Sequence, residues 1–137
     1  MSYLLDTDTI SNLLRRVPST SLIARLAGVT PEEHFTSSIT VGELLYGAYR
    51  LGLQGAVLRG RLEALLTPGW PVLPFDRAAA QQYAELRATL QRLGTPIGDA
   101  DLRIAAIALT HQLIVVTANT RHFARVPGLT IENWLAA

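Results

Sequence analysis

Tyr3-Leu4-Leu5-Asp6-Thr7-Asp8-Thr9 opens the chain with an apolar run that ends on a carboxylate and passes straight into helix-forming sequence. The run reads as a short buried strand over residues 2–6, followed by a helix from Thr7 to Arg16 that stops before Pro18. The rest of the chain continues this alternation. His34 to Ser38 reads as a second strand, after which Thr40 begins a helix carrying Val41, Leu44, Leu45 and Ala48 at helical spacing. Pro71 to Phe75 is a third strand. Asp76 then caps a long amphipathic helix with Ala79, Tyr83, Leu86, Leu90 and Leu93 on one face, ended by Gly94. Asp101 to His111 is apolar on almost every side, which predicts a central, buried helix. Leu113 to Thr117 is a fourth strand and Leu129 to Glu132 a fifth. Two further helices are predicted, one capped by Ser19 or Thr20 and stopped at Gly28, the other from Ala56 to Leu66. Gly52 and Gly55 precede this last helix, and Thr67-Pro68-Gly69 ends it. Strands separated by helices predict an α/β fold of three layers, α/β/α, around a central parallel sheet of four to five strands. A single domain over residues 1–137 is expected.

Composition narrows the function classes. With 49% apolar and 17% charged residues, the chain buries a sizeable core and is not of disordered type. No stretch approaches the roughly 18 uninterrupted apolar residues of a membrane helix. Asp6 and Asp8 fall where the apolar part of a secretion signal would lie, so a cytoplasmic protein is expected. The absence of cysteine excludes disulfides, thiolate zinc sites and cysteine nucleophiles. All twelve basic residues are arginine, balanced to a formal charge of +1. Arginine suits phosphate by its planar fork, and a catalytic lysine is unavailable; a lineage preference for arginine codons explains the bias equally well.

The acids carry the chemistry. Asp6 and Asp8 follow the first strand, Glu43 lies in the first turn after the second, and Asp99 and Asp101 open the buried helix. In a parallel sheet these boundaries converge on a crevice at the carboxyl ends of the strands. Gathered carboxylates repel one another, so a fold that collects them usually holds a cation. Each acid also has a structural explanation. Asp8 or Thr7 could be a helix cap, and Thr40-Val41-Gly42-Glu43 matches a capping box. Asp99 or Asp101 could serve the helix dipole, Asp99 reading more as the cap and Asp101 as the residue aimed into the crevice. Asp6 is harder to explain so, because a charge ending a buried strand costs several kcal/mol unless it is paired or bound. His34, His111 and His122 are scattered, and no phosphate-binding glycine loop, nucleophile elbow or zincin motif is present.

Four segments together resemble a known family. They are Leu4-Leu5-Asp6-Thr7-Asp8-Thr9, Ser37-Ser38-Ile39-Thr40-Val41-Gly42-Glu43-Leu44-Leu45-Tyr46-Gly47-Ala48, the run from Gly94-Thr95-Pro96-Ile97-Gly98-Asp99-Ala100-Asp101 to Ala106, and Val115-Val116-Thr117-Ala118-Asn119-Thr120-Arg121-His122-Phe123. With the closing Val126-Pro127-Gly128-Leu129 to Trp134 they span nearly the whole chain. The chain resembles the PIN-domain ribonucleases, and more narrowly the VapC toxins of bacterial toxin–antitoxin pairs. The resemblance implies cleavage of RNA dependent on Mg²⁺ or Mn²⁺, with Asp6, Glu43 and Asp101 as the metal-holding catalytic acids. It implies supporting roles for Thr7 and Asn119 and places Asp99 where the family varies. It also implies a homodimer and a small antitoxin partner, whose segment would lie in an apolar groove and present an arginine to the acids. Leu13, Leu14, Tyr46 and Leu53 are groove candidates, each with ordinary core packing as its alternative. Arg15, Arg16 and Arg121 are candidates for RNA phosphate contacts.

One departure concerns the position before Phe123, where many relatives carry a fourth acid and this chain has His122. An imidazole ligand there would favour Mn²⁺ over Mg²⁺ and weaken any second metal site; otherwise His122 touches a substrate phosphate or faces solvent. Two rival readings stand beside the ribonuclease. One is a catalytically inactive PIN domain acting as an RNA- or protein-binding module. The other is a phosphatase with Asp6-Thr7-Asp8 as its DxD pair, which normally needs a lysine that this chain lacks.

Overall fold

The structure is a computed structural model that describes residues 1–67 and 69–136. Five short strands, β1 (Tyr3–Leu5), β2 (His34–Ser37), β3 (Val72–Leu73), β4 (Ile114–Val116) and β5 (Ile131–Glu132), form one parallel sheet in the order β3-β2-β1-β4-β5. β1 lies at its centre, with Tyr3 in register with His34 on one side and Ile114 on the other. The chain therefore runs outward from β1 through β2 to β3, then returns to the opposite side of β1 for β4 and β5. The reversal falls between β1 and β4, where a parallel sheet opens a crevice at its carboxyl edge.

Helices cover both faces, and strand alternation explains why. Leu4 and Val115 project to one face and join Ala79, Leu86 and Leu90 of α5 (Arg77–Arg92) and the buried side of α6 (Asp99–His111). Leu5 and Val116, one residue on in each strand, project to the other face. There they meet Ile10 of α1 (Thr7–Leu13), Leu22 of α2 (Thr20–Ala27), Leu44 of α3 (Ser38–Arg50), Leu62 of α4 (Ala56–Leu66) and Trp134. In α6, Ile104 to Ala108 are wholly buried, as its nearly all-round apolar sequence predicts.

Several boundaries move, each for a local reason. α1 stops at Leu13 rather than Arg16, because Asn12 accepts the Ser19 N–H at 2.9 Å and turns the chain ahead of Pro18. α3 starts two residues before Thr40, with Ser37 as its cap accepting the Thr40 N–H at 3.1 Å. α6 begins at Asp99 and its cap is Gly98, so Asp99 is the first helical residue and not the cap. Leu93 does not share the buried face of α5: it is the cap residue at the end and is 63% exposed. Gly94 follows at φ +70°, a left-handed conformation that favours glycine at a helix end. A one-turn helix, α7 (Thr120–Phe123), was not predicted by periodicity; it buries Phe123 completely. Of the predicted turn Thr67-Pro68-Gly69, Pro68 lies outside the described residues.

Candidate active site

Asp6 sits at the carboxyl end of β1, and its backbone N–H bonds to the Val116 carbonyl of β4 at 3.1 Å. It is the N-cap of α1, accepting the Thr9 N–H at 3.0 Å. Neither Thr7 nor Asp8 is the cap, and Asp8 is exposed, its charge adding to the rise of the Asp6 carboxyl. Asp6 is only 2% exposed. Burial pushes its carboxyl up to about 6 from 3.8, opposed by hydrogen bonds from Thr117 and the Thr9 backbone. No arginine pairs with it among the described residues. A buried carboxylate held by hydrogen bonds and left without a countercharge is the electrostatic signature of a cation position.

Glu43 lies a turn further into α3 than a capping box demands. Because Ser37 caps the helix, the capping-box reading of Thr40 and Glu43 fails, and the exposed Glu43 carboxylate is free for other work. It accepts a short hydrogen bond from the Thr7 hydroxyl. Thr7 in turn lies 3.3 Å from the hydroxyl of Thr40, a fully buried residue, so α1 and α3 are tied at their first turns.

Asp101 occupies the first turn of α6. Its Oδ2 accepts from the Asn119 amide at 3.0 Å, and that same amide nitrogen lies 2.8 Å from His122 Nδ1. His122 Nδ1 also stands 3.4 Å from Asp101 Oδ2. The Asn119 backbone N–H bonds to the Thr117 hydroxyl at 2.9 Å. Asn119 therefore ties Asp101 to Thr117, the residue that follows β4 beside Asp6. Thr117 and Thr40 were not singled out from sequence as site residues. The signal for Thr117 was available in its position, a hydroxyl directly after the all-apolar strand Ile114–Val116.

Asp99 does not belong to this network. Its carboxylate takes a short hydrogen bond from the Tyr83 hydroxyl and pairs with Arg103 at 2.9 Å. Among the described residues, no three of Asp, Glu and His stand close enough to share one ion. Glu43 is bonded by Thr7, the residue after Asp6, and Asp101 by Asn119, which also touches His122. The available donors are carboxylate and hydroxyl oxygens, the ligand chemistry that hard divalent cations prefer, and such ions keep waters to complete their shell. The donor set fits Mg²⁺ or Mn²⁺.

A groove of about 420 Å³ runs between α3 and α6, lined by Ile39, Gly42, Glu43, Tyr46 and Arg103 among others. Of the four apolar groove candidates, Leu14 is buried and Leu13 packs against the same core, so both are packing residues. Tyr46 and Leu53 are 67% and 93% exposed, and Tyr46 lines the groove. Arg15, Arg16 and Arg121 are all exposed and have no carboxylate partner among the described residues.

Residues 3–129 match the sequence profile described as PIN domain. The chain is similar to the tRNA(fMet)-specific endonuclease VapC of Salmonella typhimurium, at 36% identity over 98% of each chain. Among solved structures it resembles DNA-bound VapBC from Salmonella typhimurium, with a TM-score of 0.88 and 35% identity over 98% of each chain. It also resembles FitAcB from Neisseria gonorrhoeae, with a TM-score of 0.87 and 36% identity over 98% of this chain and 99% of that one. A buried, unpaired aspartate at the sheet's switch point, acids in α3 and in the first turn of α6, and similarity over nearly the full length in sequence and fold agree: the chain belongs to the PIN-domain family, in its VapC-type branch.

Proposed function

We propose that this chain is a divalent-metal-dependent endoribonuclease, the toxin of a type II toxin–antitoxin pair. One observation carries the proposal more than any other. Asp6 is held at the β1–β4 switch point, buried and without a countercharge, and hydrogen bonds connect its surroundings to Asp101. The names of the similar proteins, an endonuclease VapC and structures of VapBC, support the same reading.

In this reading Asp6, Glu43 and Asp101 hold Mg²⁺ or Mn²⁺, directly or through water. A cation bound there lowers the pKa of a water and offsets charge on the phosphate as it is attacked in line. The chain's own groups prepare the site. Thr7 fixes the Glu43 carboxylate, Asn119 fixes that of Asp101, and Thr117 orients Asp6. No protein nucleophile is needed, in keeping with a chain that has neither cysteine nor lysine. Arg15, Arg16 and Arg121, unpaired with carboxylates, contact RNA phosphates, so binding weakens with salt. The antitoxin lies in the groove between α3 and α6, where exposed Tyr46 offers an apolar anchor beside Glu43. The family resemblance further supports a homodimer. No helix is long and apolar enough to cross a membrane among the described residues.

Incubating purified protein with end-labelled total transfer RNA in Mg²⁺, Mn²⁺ or EDTA tests the activity, with Asp101→Asn run alongside. Discrete fragments that need the metal and vanish in the variant are expected. Identical patterns from both proteins would assign the nuclease to a contaminant and contradict the proposal. Binding of Mn²⁺ without cleavage of any RNA would favour the inactive binding module.

A further inference from the structure

We propose that His122 is an RNA-contacting residue, donating from Nε2–H to a phosphate or hydroxyl oxygen of the substrate, and is not a ligand of the metal. The inference rests on the ribonuclease reading above and deepens it. Its basis is the fork made by a single side-chain amide. Asn119 Nδ2 carries two hydrogens; one is directed to Asp101 Oδ2 at 3.0 Å and the other to His122 Nδ1 at 2.8 Å. A nitrogen that accepts a hydrogen bond has its lone pair occupied. An amide nitrogen can only donate, so with Asn119 placed as it is this contact assigns the accepting role to Nδ1 and the Nε2–H tautomer to the ring.

The second observation is exposure. Although one edge of the ring is committed to Asn119, the His122 side chain remains 42% exposed, so its other edge is open to a ligand. What that edge presents is an N–H, a donor with no accepting capacity. A cation cannot use it; an oxygen of phosphate or ribose can. The adjacent Arg121 is exposed and free of carboxylate partners among the described residues, which makes this corner suited to an anion. Asp101, to which the same amide is anchored, places the donor beside the acids that hold the ion. A carboxylate at position 122 would act in the opposite sense, adding negative charge where the RNA backbone arrives.

The choice of ion then does not depend on position 122. Mg²⁺ and Mn²⁺ support cleavage in a ratio that His122 substitutions leave unchanged, although a histidine in place of an acid suggests a Mn²⁺ preference from sequence alone.

The test compares wild type with His122→Ala and His122→Gln. Binding of fluorescently labelled total transfer RNA is followed by anisotropy in EDTA, and Mn²⁺ affinity is measured without RNA by calorimetry. Loss of a hydrogen bond to a charged oxygen predicts about tenfold weaker RNA binding by His122→Ala. Gln, which offers a donor at similar reach, recovers a part of it. Mn²⁺ affinity stays within about twofold for both variants, since no metal ligand is lost. The inference is overturned if His122→Ala binds RNA as wild type does, or if it loses Mn²⁺ affinity by an order of magnitude. Failure of wild type itself to bind or cleave RNA would overturn the ribonuclease reading and this inference with it. Wild-type cleavage with an unaffected His122→Ala would overturn the inference alone.

Discussion

Two aspartates of this fold, Asp6 and Asp99, both stand at the first turn of a helix, yet their surroundings are opposite. Asp99 is 55% exposed and satisfied within its own chain, by Arg103 one turn along α6 and by the Tyr83 hydroxyl of α5. Arg103 is itself held over the rings of Phe75 and Tyr83. Asp6 is buried, receives only neutral donors, and titrates near 6 because the surroundings disfavour its charge. The contrast separates two uses of a carboxylate. An acid whose countercharge is built into the fold stabilises a helix terminus; an acid buried without one expects its countercharge from outside. Sequence position separates them only in part: Asp6 follows a strand and Asp99 a loop, yet both open a helix.

Breaking the second use has the largest expected effect. Glu43→Gln keeps the size of the side chain and its hydrogen bond to Thr7 but removes a charge from the cation site. Cleavage of labelled transfer RNA falls by about a thousandfold, since several kcal/mol of transition-state stabilisation go with a bound ion. Thr7→Val comes next. It leaves the carboxylates in place and removes the hydroxyl that orients Glu43, so activity drops roughly 10- to 100-fold while the fold persists; single-turnover rates at saturating Mn²⁺ and far-UV circular dichroism measure both halves of that statement.

A third variant, Asp6→Asn, sharpens the contrast in stability. The folded Asp6 carboxyl binds its proton more tightly than the unfolded one, with a pKa of about 6 against 3.8. Its contribution to stability is therefore fully present below pH 3.8 and is lost as the pH rises through about 6. Asparagine is an equally good cap and carries no charge. In metal-free protein above pH 6, Asp6→Asn is thus more stable than wild type by about 2–3 kcal/mol, and the difference closes towards pH 3.8. Denaturant unfolding in EDTA across that range reads the effect. A wild type more stable than the variant at neutral pH would show that Asp6 has a countercharge within the fold. The smallest effect belongs to Asp99→Asn. Its ion pair with Arg103 is at the surface, so stability changes by about 0–1 kcal/mol and cleavage changes less than about threefold.

Much of this could be read from the chain before its fold was known. Alternation of short apolar runs with amphipathic ones was sufficient for the parallel three-layer architecture, because βαβ connections leave few other arrangements. The two core layers follow from single-residue steps, Leu4 against Leu5 and Val115 against Val116. What escaped was decided by short hydrogen bonds from side chains to backbone. Ser37, not Thr40, caps α3 by accepting the Thr40 N–H, and Asn12 shortens α1 by turning the chain towards Ser19. α7 is a single turn, too brief for any periodicity, and is fixed by burying Phe123. Within the site, the acids could be picked out by their placement at element boundaries and Asp101 preferred to Asp99 for the crevice, but the physical basis of that sorting could not be read. It depends on Tyr83 and Arg103 reaching one carboxylate and Asn119 reaching the other. Likewise His122 could be seen to replace an acid, whereas the side of its ring that faces Asn119 is a tertiary fact.

The central claim is that the unpaired carboxylates, and not the paired one, take a divalent cation. Calorimetric titration of Mn²⁺ into metal-free wild type, Asp6→Asn and Asp99→Asn at neutral pH tests it most directly. Saturable binding by wild type and Asp99→Asn, lost in Asp6→Asn, is the predicted result. Undiminished binding by Asp6→Asn, or loss of binding in Asp99→Asn, would contradict it.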